Sequence, residues 1–129
     1  MSNPPVISII DDDLSVRTAT DNLVRSLGYA VETYASAEEF LHSPHLGDTS
    51  CVITDVRMPA MSGLDLQAHL IAGGRRFPFI FITAFSVEAD RARAMEAGAI
   101  CFLIKPFDGD TLIRCLDTAL ARQGTAPSE

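Results

Sequence analysis

The sequence predicts an α/β fold, a doubly wound (βα)5 sandwich around a parallel five-stranded sheet. Three observations predict it. Over 129 residues, five short apolar runs alternate with five stretches of helical periodicity. Only a few residues connect each run to the next stretch, and four of the five runs are apolar almost throughout, which is how strands buried on both faces read. Strand and helix alternating at this spacing require right-handed crossovers and helices on both sides of the sheet.

The first run is Val6 to Ile10. Val16, Ala19, Leu23 and Leu27 then recur at steps of three and four, and the pattern stops at Gly28, which predicts a first helix with a glycine beyond its end. Ala30 to Tyr34 alternates, with Val31 and Thr33 on one side and Glu32 and Tyr34 on the other, so an edge strand is expected there. Ser36 with Glu39 reads as a capping box for a short second helix ending near His42. Cys51 to Thr54 is the third strand, and Ser62, Gly63 and Asp65 open a third helix that stops at Gly73-Gly74. Phe79 to Thr83 is the fourth strand. Ser86 opens a fourth helix through Ala97-Gly98, rich in alanine, with Val87 and Met95 its only large apolar anchors. Ile100 to Ile104 is the fifth strand, grouped with the first, third and fourth as central or nearly so, and Asp108 opens a fifth helix through Leu112, Leu116 and Leu120. One domain over 1–122 is expected, with 123–129 a tail or the start of a linker.

A chain of 13.9 kDa has room for one ordinary domain, which excludes a cofactor domain joined to a substrate domain. The net charge of −7 argues against nucleic-acid binding, because phosphate backbones are bound chiefly by Lys and Arg. No apolar run approaches the roughly twenty residues that span a bilayer, and the start lacks a basic-then-apolar signal segment. No membrane contact is expected. The three cysteines, Cys51, Cys101 and Cys115, sit inside apolar stretches at no regular spacing, so a reducing, cytoplasmic setting is expected.

Polar residues that would disrupt a core gather at one end of the strands. Asp11 and Asp12 follow the first, Asp55 the third, Thr83 closes the fourth, and Lys105, the only lysine in the chain, follows the fifth. The carboxyl ends of an open parallel sheet line one crevice, where ligands bind at the point of strand-order reversal. Two unit charges about 4 Å apart repel by about 4 kcal/mol at an effective dielectric of 20, so three carboxylates there need cations among them. Lys105 supplies one charge. A hard divalent ion suits the remainder, since neither His nor Cys lies at these positions, and Mg2+ is the natural choice. Asp13 is read as the cap of the first helix. His42 and His45 lack further ligands at metal spacing.

The Asp11-Asp12 pair, the run Thr54-Asp55-Val56-Arg57-Met58-Pro59-Ala60-Met61-Ser62-Gly63, Thr83-Ala84 and Lys105-Pro106-Phe107 resemble the receiver domain of two-component response regulators over about residues 5 to 122. The resemblance implies a flavodoxin-like sheet of strand order 2-1-3-4-5, with which the edge reading of residues 30 to 34 agrees. It implies that Asp55 is the phosphoacceptor for a sensor histidine kinase, that Asp12 and Asp55 bind Mg2+ directly, Asp11 through water, and Arg57 through its backbone carbonyl. It further implies that Thr83 and Lys105 bind phosphoryl oxygens and that Phe102 is the aromatic switch. On this reading the chain is a signalling module, not an enzyme beyond its own phosphoryl transfer and slow dephosphorylation. The face of the fourth helix, fifth strand and fifth helix then controls an output such as transcription, or a phosphorylation-dependent homodimer. The strands and loops look similar to receivers that precede LuxR-type domains, and a free-standing receiver fits the length equally well.

Two rivals use some of the same residues. Asp11-Asp12-Asp13-Leu14-Ser15 resembles the nucleophile motif of haloacid dehalogenase-type phosphatases, but a further acidic motif beyond Lys105 is missing and Asp55 to Gly63 goes unexplained. A pseudo-receiver that kept the fold and lost the chemistry would not need the complete acidic and lysine set.

Overall fold

The computed structural model describes residues 4–124, and they form the expected (βα)5 sandwich. Strands β1 (Val6–Ile10), β2 (Ala30–Tyr34), β3 (Cys51–Asp55), β4 (Phe79–Thr83) and β5 (Cys101–Ile104) pair in parallel in the order β2-β1-β3-β4-β5. Ile9 lies opposite Thr33 on one side and Ile53 on the other, and Thr83 lies opposite Ile104. Helices α1 (Leu14–Ser26), α2 (Ala37–Leu41), α3 (Gly63–Ala72), α4 (Glu88–Glu96) and α5 (Gly109–Gly124) connect and flank the strands. Helix α5 thus passes the domain boundary drawn at 122, and residues 125–129 of the expected tail lie outside the described residues.

Two cores result, one on each face of the sheet. Alternate strand residues Ile7, Ile9, Ile53, Ile80 and Ile82 meet Val24 of α1 and Leu112 and Leu116 of α5. The opposite alternation sends Val52, Phe79 and Phe81 against Phe40 of α2, Leu66 and Leu70 of α3 and Ala94 of α4. One core is aliphatic and the other aromatic. Phe79 stacks on Phe81 at 5.4 Å between ring centroids, and Phe40 meets Tyr34 edge-on at 5.2 Å.

Most helix ends follow their sequence signals. Asp13 caps α1 by accepting from the backbone N–H of Ser15 and Val16, and Gly28 beyond the end takes φ +96°. Ser36 and Ser62 accept from Glu39 and Asp65, and Glu39 reaches back to the N–H of Ala35, one residue before the position a capping box uses. Three readings need correction. Ser86 is not the cap of α4: the cap position falls on Val87, whose side chain has no oxygen to offer the first turn. Strand β5 is not central but the second edge of the sheet, half-buried, and it stays apolar because helices still flank it. The three cysteines, whose apolar and irregular placement reads as that of a reducing setting, include a bonded pair, Cys101–Cys115.

Candidate functional site

The crevice at the carboxyl ends of β1, β3, β4 and β5 brings together six of the seven residues singled out in the sequence, all but Phe102. Asp55 ends β3, its side chain 10% exposed, and its Oδ2 lies 3.2 Å from the Lys105 Nζ. The same ammonium stands 3.5 Å from the Asp11 Oδ2. Asp11, Asp12 and Asp55 each turn a carboxylate oxygen to within 4.8 Å of the others, and among the described residues no other group of His, Cys, Asp or Glu does so. Residues 50 positions apart therefore meet because parallel strands deliver their ends to one place.

Local chemistry holds each group. The first carboxylate, on Asp11, is wholly buried; its Oδ1 accepts from the Asp13 N–H at 2.9 Å, while the Arg17 guanidinium grips the Asp11 carbonyl at 2.7 Å. Its Oδ2 has no hydrogen bond among the described residues, and the 3.5 Å approach of Lys105 is an ion contact too long to satisfy it fully. Burial pushes the Asp11 carboxyl above its ordinary value; the Asp13 N–H and Lys105 oppose this, and the charges of Asp55 and Asp12 add to it. Asp12 by contrast is exposed at the mouth.

The loop after Asp55 is shaped by Gly63. A Cβ there would lie 2.3 Å from the Asp55 carbonyl oxygen and 3.2 Å from the Phe81 ring, so only glycine lets α3 start against β3. The Gly63 N–H in turn donates to the Val56 carbonyl at 3.0 Å. Between them Ala60 holds φ +67°, a left-handed conformation that costs an L-residue about 1 kcal/mol. The spacing from Asp55 to Gly63 thus encodes a turn that returns the chain tightly under Asp55.

Thr83 is buried at the end of β4, and its Oγ1 accepts from the Phe85 N–H at 3.1 Å. Arg57 donates its N–H to the Asp55 Oδ1 at 3.2 Å, and its guanidinium reaches Asp90 of α4 at 2.6 Å. The pair joins the loop beside Asp55 to α4. No sequence signal marks it, since the partners are 33 residues apart. Phe102 stands outside the crevice. Its ring packs, partly buried, on the aromatic core 6.3 Å from Phe81. His42 and His45 bond to the Glu38 carbonyl and to Asp48 respectively and share no metal cluster among the described residues.

The donor set suits a hard divalent cation. Every ligand on offer is oxygen, three carboxylates face one ammonium, and a buried oxygen of Asp11 lacks a hydrogen-bond donor.

Comparison with known proteins agrees with this geometry. The family model described as the response regulator receiver domain matches residues 7–117. The response regulator protein TodT of Pseudomonas putida is 43% identical over 115 residues, 89% of this chain and 51% of that protein. The transcriptional regulatory protein FixJ of Azorhizobium caulinodans is 39% identical over 116 residues, 90% of this chain and 55% of its own length. Among solved structures, that of the response regulator StyR superposes with a TM-score of 0.88 at 40% identity, covering 95% of this chain and 62% of StyR. The chain spans about half the length of the curated relatives it matches.

Proposed function

The chain belongs to the response regulator receiver domain family, and on that premise we propose that Asp55 accepts a phosphoryl group from the phosphohistidine of a sensor histidine kinase. The observation that carries this reading is the Asp55 carboxylate at the end of β3, nearly buried, facing Lys105 and flanked by Asp11 and Asp12. An Asp55 oxygen attacks phosphorus in line with the departing imidazole nitrogen; the P–N bond breaks and an acyl phosphate remains. Lys105 already touches the Oδ2 and pairs with one phosphoryl oxygen. Thr83 gives up its contact with the Phe85 N–H region and donates its hydroxyl proton to another. Asp11, Asp12, Asp55 and the Arg57 carbonyl would hold Mg2+, whose charge offsets the three carboxylates and the transferring oxygens. The later loss of the phosphoryl group to water occurs at the same atoms and is slow, so the domain turns over no separate substrate.

The phosphorylated state is read through α4, β5 and α5. Movement of the Thr83 hydroxyl opens space behind it for Phe102, which shares its strand with the approach to Lys105. Phe85, Val87, Met95 and Ile104 expose apolar surface in this region, as a phosphorylation-dependent homodimer would require. The domain runs through the end of α5 at Gly124 rather than stopping at 122, and the output it controls is transcription, as the name of FixJ states for that protein. Neither direct nucleic-acid binding nor membrane attachment belongs to the domain in this account; its charge is −7 and no described helix is long and apolar enough to cross a membrane. The setting is cytoplasmic.

Incubation with acetyl phosphate and Mg2+ tests the nucleophile. One phosphoryl group, stable in acid and labile in base, is expected on Asp55, and none on the Asp55→Asn variant. Phosphate mapped to Ser, Thr or His would overturn the assignment. Steady release of phosphate from esters would favour the phosphatase rival instead.

A further inference from the structure

Strand β5 is the outer strand of the sheet beyond β4, only four residues long, and half-buried. Its first residue, Cys101, pairs with Ile80 and turns toward the aliphatic core, where its sulfur is bonded to Cys115 of α5. The next residue, Phe102, turns to the opposite core, and Lys105 follows the strand. A covalent tie from this edge to α5 therefore sits one residue from the ring on the other face and four from the ammonium that touches Asp55.

We propose that Cys101 and Cys115 form a reversible thiol–disulfide site, exchanging with low-molecular-weight thiols and disulfides such as glutathione, and that the bond clamps β5 to α5. Reduction begins with a thiolate attacking the Cys101 sulfur, which lies at the half-buried sheet edge; the protein S–S bond breaks and Cys115, nearly fully buried, leaves as a thiolate that takes up a proton. A second thiolate attacks the small-molecule sulfur of the mixed disulfide, releases Cys101, and departs as the small disulfide. Two electrons pass from two small thiols to the protein, and oxidation reverses each step. In a reducing setting the pair rests as thiols and closes when the glutathione balance shifts.

The third cysteine does not interfere. Cys51 is completely buried in β3, and burial pushes its thiol up to about 12, so it offers no thiolate to attack the pair. The Cα atoms of Cys101 and Cys115 are 6.2 Å apart, a separation at which a disulfide closes without moving the backbone. Closing the 14-residue separation removes open states of the segment between the two cysteines. On chain-entropy grounds, segment opening is suppressed about 100-fold. The consequence for signalling rests on the proposed phosphoryl reading: the clamp sets how freely the strand bearing Phe102 and leading to Lys105 can move.

The test uses the unphosphorylated 129-residue chain in glutathione buffers of varied reduced-to-oxidised ratio, with iodoacetamide trapping, peptide mapping and hydrogen exchange. Under oxidising buffer, native protein should take no label and unfolded protein one, on Cys51. Under reducing buffer, Cys101 should label in the native state, and Cys115 and Cys51 only on unfolding. Amides of 101–104 and 109–116 should exchange about 100-fold faster in the reduced form, with 6–10 unchanged. Cys101→Ser should exchange like the reduced form in every buffer; if that variant fails to fold, the two redox forms of the native sequence carry the comparison. Thiols that stay free under excess glutathione disulfide, or equal exchange over 101–116 in both forms, would overturn the proposal. No readout uses phosphate, so a failure here leaves the role of Asp55 standing, and a failure there leaves this site standing.

Discussion

Helices α3 and α4 cover the same face of the sheet and are held to it by different forces. Helix α3 buries Leu64, Leu66 and Leu70, is capped by Ser62, and starts at Gly63 in contact with the β3 backbone. Of the nine residues of α4 only Ala94 is fully buried; its cap position is Val87, and Val87 and Met95 are each 36% exposed. At about 25 cal/mol per Å² of apolar area, the leucines bind α3 far more strongly than alanine methyls bind α4. Polar contacts hold α4 instead. Arg57 reaches Asp90 at 2.6 Å and Arg93 reaches Asp65 at 3.2 Å, and exposed ion pairs of this kind contribute about 0–1 kcal/mol each. The anchor of α3 fixes the loop after Asp55, while α4 is held to that loop mainly by an exposed ion pair.

The largest contrast comes from the apolar contacts. Leu66→Ala should cost about 2–5 kcal/mol in chemical denaturation, and Met95→Ala, on the exposed side of α4, less than about 1 kcal/mol. Equal losses would break the comparison. Gly63→Ala presses a methyl into the Asp55 carbonyl and should cost about 1–3 kcal/mol while slowing phosphorylation by acetyl phosphate. A Gly63→Ala protein that keeps both stability and rate would show that α3 does not brace Asp55.

Smaller effects sharpen the picture of α4. Asp90→Ala should cost at most about 1 kcal/mol yet increase exchange of α4 amides, because it frees the helix from the Asp55 loop. Val87→Ser supplies the missing cap and should stabilise the chain by about 0.5–1 kcal/mol, as read by the denaturation midpoint. Asp11 gives a change with pH. Its carboxyl is raised in the folded state, so the native protein binds the proton more tightly than the unfolded chain, and stability falls as pH rises from the ordinary carboxylate value through the raised one. Asp11→Asn should therefore lessen that fall and raise the melting temperature at neutral pH.

Much of this was legible from the residues. Carboxylates and a lone lysine directly after apolar runs can only be strand ends, and parallel topology gathers strand ends, so Asp11, Asp55, Thr83 and Lys105 could be placed together without coordinates. Caps at Asp13, Ser36 and Ser62 were legible because each signal lies within three residues of what it satisfies. Contacts that depend on packing were not. The Arg57–Asp90 pair and the Cys101–Cys115 bond join elements through the tertiary fold, and nothing local to either partner announces them. An apolar run such as 100–104 likewise reads as central, because flanking helices on both faces demand apolar residues even at a sheet edge. Ser86 misled for a similar reason: a good capping residue stood one position before the one the backbone used.

A charge placed on Asp55 should be expressed where the fold is least anchored. Hydrogen exchange with and without beryllofluoride, in Mg2+, measures it directly. Exchange should change over residues 86–107, spanning α4, β5 and the start of the following loop, while α3 changes little. Changes confined to α1 and α2, with 86–107 unaffected, would contradict the account.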